Sequence, residues 1–208
     1  MSKTDRVHKE IAESEYNSYV VGKEAKTNNY YKIGKTLDFN DNRSGNGEQI
    51  YAIASDGSNV LPNAPLSERA KVKEITLLYR GSTNPTGLFT GKAGEVGRDW
   101  VGNNAALRLK MLMNQRGVTG QLEASAEYLK EIMEKYPNAK INIYGHSLGS
   151  MDAQYALACI TDYSRINGAY IYNGPNIYSL LLYNQEITVT KDTQTTVADS
   201  TNAPRVRR

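Results

Sequence analysis

From Lys71 onward the 208-residue sequence alternates strand, helices, strand, helix, strand. This order predicts an α/β protein whose mainly parallel sheet is covered by helices on both faces. Two further observations support that class. The largely apolar run Ile75 to Tyr79 reads as a central strand buried on both faces. A G-x-S-x-G sequence, Gly145 to Gly149, falls directly between a predicted strand and a predicted helix.

Taken in order, residues 4–22 predict a helix, with Val7, Ile11 and Ser18/Tyr19 on one side and charged residues between them. "KTNNYY" breaks that pattern. "YKIGKTLDF" and "EQIYAIAS" predict two short strands across the polar turn "NDNRSGNG", and "DGSNVLPNAP" a loop. Lys71 to Ser82 is the first strong strand, and the Gly-rich stretch Thr83 to Arg98 follows it. A helix opens at Asp99 and runs to about Asn114. Another spans about Thr119 to Tyr136, with Leu122, Ala126, Leu129 and Met133 on one face, and Pro137 ends it. "KINIY" is the next strand, Ser147 to Asp162 a helix, "INGAYIYNGP" a strand and "ITVT" a last short one. Residues 1–70 are expected to pack on a core formed by 71–208, making one domain overall.

Hydrophobic residues at 39% and charged residues at 23% are an ordinary soluble globular balance, in a chain long enough for a sizeable core. The net charge of +3 comes from Arg205, Arg207 and Arg208, which leaves the rest balanced at 22 against 22. A balanced body argues against nucleic acid as a partner. Tyrosine dominates the aromatics, 15 against 2 Phe and 1 Trp, as suits a half-wet core or a cleft. The lone Cys159 cannot form an internal disulfide, and its helical, apolar surroundings predict a buried thiol. The N-terminus lacks a signal-peptide core, and no apolar run is long enough to span a membrane. The expected location is therefore cytoplasmic, or outside the cell by a non-classical export route. One Cys and two distant histidines predict no metal site, and no phosphate-cradling loop is present, so no cofactor is expected.

The serine motif carries the chemistry. A turn from strand to helix this tight strains the nucleophile's backbone, and the glycines remove side chains that would clash. The helix N-terminus then favours the negative charge that develops on an attacked carbonyl. "KINIY" before the motif and Ala153, Ala156, Leu157 and Ile160 after it supply that context. A serine nucleophile also needs a base. His146 adjoins Ser147, so its ring is expected to point away from the hydroxyl and to pack or hydrogen-bond beneath the turn. His8 reads as a surface histidine.

Three motifs in order, Tyr79-Arg80-Gly81-Ser82, Asp99-Trp100 with Asn103 and Asn104 close behind, and Gly145-His146-Ser147-Leu148-Gly149, resemble those of the class 3 lipase family. The likeness covers about residues 71–192. The variant "GHSLGSMDAQYAL", with Ser150 where many members have a second glycine, resembles in particular the lipase-like domains of Gram-positive effector and phage-associated proteins. The resemblance implies an α/β-hydrolase fold, expected to be incomplete at its C-terminal edge. It implies Ser147 as nucleophile, with Leu148 and Ser82 as the oxyanion hole. Gly145, His146, Gly149, Arg80, Gly81 and Asp99 become elbow and supports, with Arg80 and Asp99 available to pair. Asp192 is the implied acid, with Asp199 second. It also implies a lid over Thr83 to Arg98, where Leu88, Phe89 and Val96 could meet an acyl chain.

The family's histidine should follow that acid, and residues 193–208 contain none. Three explanations are open: a histidine beyond Arg208, which is the one expected here; an inactive relative that binds acyl lipids; or a second chain that completes the site. The expected function is hydrolysis of lipid carboxylic esters, as a lipase or phospholipase A, with transient contact to a membrane or micelle surface. The alternative is a non-catalytic lipid- or protein-binding module.

Overall fold

The computed structural model describes residues 4–42, 44, 47–80, 120–174, 176–177 and 206–207. Helix α1 (Asp5–Glu13) passes into a 3-10 turn, Ser14–Tyr16. Strands β1 (Glu24–Lys26), β2 (Lys32–Asp41) and β3 (Gln49–Ala54) follow, then the short helix α2 (Leu66–Arg69) and β4 (Glu74–Arg80). The second half holds α3 (Gly120–Lys135), β5 (Lys140–His146), α4 (Gly149–Ala158), β6 (Ile166–Tyr172) and β7 (Val206–Arg207). The expected helix from Asp99, the stretch Thr83 to Arg98 and the strand "ITVT" lie outside the described residues.

The seven strands among the described residues form one sheet whose spatial order follows the chain, so the protein is of the α/β class. The sheet is mixed where a mainly parallel one was expected. β1 to β4 pair antiparallel, and β4 to β7 pair parallel. Connection length explains part of the difference, although β3 and β4 pair antiparallel across a connection that contains α2. A few residues suffice to turn β2 back into β3, whereas the parallel strands β5 and β6 are joined through α4, as a crossover requires. β1 (Glu24–Lys26), which was not expected from the sequence and ends where "KTNNYY" begins, pairs with β2 at the edge.

Alternating residues on β4, β5 and β6 feed two apolar layers. Ile75, Leu77, Tyr79, Ile141, Ile143, Ala169 and Ile171 join the α3 and α4 side chains. Leu78, Tyr144 and Tyr172 pack with Ile11 and Ala12 of α1 on the other face. Helices thus cover both faces, and the N-terminal segment is one of the covers.

Two helices are shorter than periodicity predicts. α1 ends at Glu13 because the Ser14 hydroxyl donates back to the Ile11 carbonyl at 2.7 Å and Asn17 N–H donates to the Ser14 carbonyl at 2.9 Å, tightening the last turn. α4 starts at Gly149 because Ser147 and Leu148 are used up by the turn. Arg165 closes the end of α3, donating to the carbonyls of Met133 (2.7 Å), Tyr136 (3.0 Å) and Ala139 (3.2 Å). Two sequence expectations need correction. Cys159, expected to be buried, is only half-buried at the C-cap of α4, although burial still raises its thiol pKa. His8, expected at the surface, is buried. Its ring stacks on Tyr170 at 3.6 Å, and Nδ1 lies 2.9 Å from the Tyr144 hydroxyl. A nine-residue amphipathic helix docked on the sheet turns His8 inward with Ile11 and Ala12.

Candidate active site

β5 runs out at His146, and the chain reverses into α4 within two residues. Ser147 takes φ 51°, the left-handed region that is costly for any residue with a Cβ. The glycines on either side are a packing necessity. A Cβ on Gly145 would come within 2.6 Å of the Gly149 carbonyl oxygen. A Cβ on Gly149 would overlap the Tyr79 carbonyl oxygen on β4 and lie 2.9 Å from Glu15 Oε2. Ser147 N–H donates to the Tyr172 carbonyl (3.0 Å), and Ser150 N–H donates to the Ser147 carbonyl (3.2 Å). The Ser150 hydroxyl donates to that same carbonyl. The nucleophile's strained conformation is therefore held from β6 and from α4 together.

Ser147 is 2% exposed. Leu148 occupies the N-cap position of α4 without a side-chain cap hydrogen bond, and Asp152 lies in the first turn of that helix.

Glu15, in the 3-10 turn, is wholly buried at the base of the elbow. Its Oε2 accepts the His146 peptide N–H at 3.2 Å, across 131 positions of sequence. Its Oε1 stands 3.6 Å from His146 Nδ1, and neither of those two atoms has a hydrogen-bond partner among the described residues. Burial raises the Glu15 carboxyl pKa, and His146 partly offsets that shift. His146 Nε2 lies 3.4 Å from Asn173 Nδ2, and Asn173 itself has φ 51°. The imidazole is therefore turned towards Glu15 and Asn173.

Tyr16 follows Glu15, and its ring lies under the Arg80 guanidinium at 5.9 Å. Its phenol is held above the usual tyrosine range, first by burial and next by the Glu15 carboxylate. Arg80 and the Ser147 hydroxyl act in the opposite direction. Ser147, His146, Arg80, Glu15 and Tyr16 are thus one cluster.

Of the residues expected from sequence, Gly145, His146, Ser147, Leu148, Gly149 and Arg80 meet at this point. Gly81, Ser82, Asp99, Asp192 and Asp199 lie outside the described residues, as does the Arg80–Asp99 pairing. Glu15, Tyr16 and Asn173 were missed. Glu15 and Tyr16 read as ordinary residues of an amphipathic helix, and nothing local distinguishes a buried glutamate from a solvated one. Asn173 carried a weak signal, because asparagine beside Gly-Pro favours a turn with positive φ. Among the described residues no group of His, Cys, Asp and Glu could hold a metal, and no helix is long and apolar enough to cross a membrane.

The sequence model of one family, described as Mbeg1-like, matches residues 102–201, just under half of the chain and including the elbow. That description names no activity, so the likeness to class 3 lipases rests on the motifs alone. No curated protein and no solved structure matches the chain.

Proposed function

We propose that this chain is an α/β-hydrolase whose Ser147 cleaves carboxylic esters of lipids, as a lipase or phospholipase A, through an acyl-enzyme. The observation that carries the reading is Ser147 at φ 51° between β5 and α4, with Gly145 and Gly149 at positions where no side chain fits. Backbone strain at a polar residue persists only where its surroundings over-determine it, and such residues cluster at functional sites. The parallel order β4-β5-β6 also supports the reading, since it brings the end of β4, with Arg80, beside the elbow.

In this reading Ser147 Oγ attacks the ester carbonyl carbon, and its proton passes to a base. The carbonyl electrons become an oxyanion at the N-terminus of α4, where the Leu148 N–H lies, with Ser82 as the second donor. Collapse expels the alcohol, which takes up the proton, and water then cleaves the acyl-enzyme. One preorganised donor of this kind is worth about 3 to 4 kcal/mol to the transition state. Neither histidine is placed as the base. His8 is engaged with Tyr144 and Tyr170, and His146 faces Glu15 and Asn173. The base belongs to residues outside those described, with Asp192 as the acid that would orient it.

That engagement of both histidines also favours a second reading, a non-catalytic lipid- or protein-binding module. Turnover of a short-chain chromogenic ester by the full-length protein separates the two, with Ser147→Ala as control and circular dichroism as the folding check. Turnover abolished by Ser147→Ala supports the hydrolase. Equal turnover in both proteins would rule out Ser147. A wild type that neither turns over ester nor reacts with a fluorophosphonate favours the binding module.

A further inference from the structure

The N-terminal turn brings a carboxylate to the elbow, where nothing in the serine motif calls for one. Burying a carboxylate costs several kcal/mol unless it is paired, and an apolar side chain of similar volume would fill the space without that penalty. A retained buried charge at such a point needs a reason. Three features of its surroundings supply one. Glu15 Oε2 accepts the peptide N–H of His146, the residue immediately before the nucleophile. The same oxygen lies in the space kept open by the absent side chain of Gly149. Its other oxygen faces the imidazole at 3.6 Å, with no hydrogen-bond partner of its own among the described residues. The carboxylate thus touches both the residue before Ser147 and the second residue after it. It also lies at the N-terminal end of α4, the end that carries partial positive charge.

We propose that Glu15 is a positioning residue of the Ser147 site, clamping the elbow from the N-terminal side and making the α1–turn segment a working part of the active centre. The inference rests on the hydrolase reading for its catalytic consequence, but its geometry stands apart from that reading. Glu15 is not the base itself, since its two oxygens are directed to the His146 N–H and ring. Without the carboxylate, the His146 peptide loses its acceptor, and the strained φ of Ser147 is held only from β6 and α4. Tyr16, partly exposed and stacked under Arg80, continues the same wall towards the serine.

The test compares Glu15→Ala and Glu15→Gln with wild type and Ser147→Ala, all in the full-length protein, scaling every rate to the folded fraction. Glu15→Ala should lower kcat about 10- to 100-fold with KM within about twofold, since a small misplacement of the nucleophile is costly in rate. Glu15→Gln, which keeps an acceptor oxygen of the same reach, should recover most of that loss. Amide exchange gives an activity-independent arm. In Glu15→Ala the His146 and Ser147 amides should exchange at least about tenfold faster, while those of Leu129 and Ile132 in α3 keep their protection. Wild-type kcat per folded molecule in Glu15→Ala would overturn the catalytic consequence and leave Glu15 merely structural. Unchanged exchange at His146 and Ser147 would overturn the clamp. Should wild type show no turnover beyond Ser147→Ala, the hydrolase reading fails, and the exchange arm still decides whether Glu15 holds the elbow.

Discussion

The elbow Gly145–Gly149 and the turn Ser14–Tyr16 lie against each other, yet they are specified in different ways. The elbow is local. Its two glycines are dictated by carbonyl groups that leave no room for a Cβ, and its serine is fixed by hydrogen bonds from β6 and α4. The turn is non-local. Ser14 ends the helix by bonding to Ile11, but Glu15 acquires its partner only because α1 docks across β5 and β6. A motif of five residues can therefore announce a nucleophile and still be silent about the residue that holds it.

The sharpest way to break this contrast is to fill the space at Gly149. Gly149→Ala should cost about 3 kcal/mol or more in urea-induced unfolding, because the added methyl meets β4 backbone that cannot move aside cheaply. Gly57→Ala is the control. Gly57 has φ +80°, but a methyl added there would meet nothing within 4 Å, so strain alone should cost only about 1 kcal/mol. Equal losses at the two positions would mean that crowding does not define the elbow.

The second test addresses the turn through pH. Burial raises the Glu15 carboxyl pKa above its ordinary value near 4.5. Between the unfolded and folded pKa values the folded state holds a proton that the unfolded chain has released. Stability from this group is thus complete below the unfolded pKa and is lost as pH rises through the folded one. The groups that face Glu15 are His146 and Tyr16, with Arg80 beyond Tyr16. Subtracting the urea-derived stability curve of Glu15→Gln from that of wild type isolates its share. The difference should fall with pH at a slope approaching about 1.4 kcal/mol per unit in that window. A flat or rising difference would contradict a buried, desolvated carboxylate.

How much could be read in advance follows the same division. β4, β5 and β6 announced themselves through short apolar runs bounded by turn residues, and the elbow through its spacing. The antiparallel half was legible as strands, but its direction was not, because pairing depends on connection length and on neighbours rather than on composition. β1 was missed because its three residues, Glu24 to Lys26, are too few to show a period. His8 was misplaced because one histidine on an amphipathic helix sits equally well on either face until a tyrosine layer waits beneath it. Glu15 was hidden for the same reason, and its charge made burial the less expected outcome.

His8 provides the third test, with a smaller effect. His8→Phe keeps the stack on Tyr170 but removes the partner of the buried Tyr144 hydroxyl, so it should cost about 1 to 2 kcal/mol. His8→Ala should cost more, since the stacked ring is lost as well. If both variants match wild type in thermal unfolding, α1 is held by Ile11 and Ala12 and by the Glu15 contact rather than by this ring.

The smallest expected effect concerns the other tie between the N-terminal half and the helical layer. Lys135 Nζ, in the last turn of α3, lies 2.7 Å from Asp38 Oδ2 on β2, with side chains 17% and 22% exposed. This ion pair is neither fully solvated nor fully buried, so its Coulomb gain and its desolvation cost nearly cancel. Asp38 also accepts the Phe39 N–H at 2.9 Å, and Asp38→Asn keeps that acceptor while removing the charge. Lys135→Met removes the ammonium and keeps the apolar stem. A double-mutant cycle in urea unfolding should give a coupling of about 0.5 to 1 kcal/mol. Part of it should survive in 1 M salt, because partial burial limits screening. A coupling of zero would leave β1–β3 attached to the helical layer through the shared apolar core and the β3–β4 ladder. A coupling above about 2 kcal/mol would instead make α3, rather than the elbow clamp, the main anchor between the two halves.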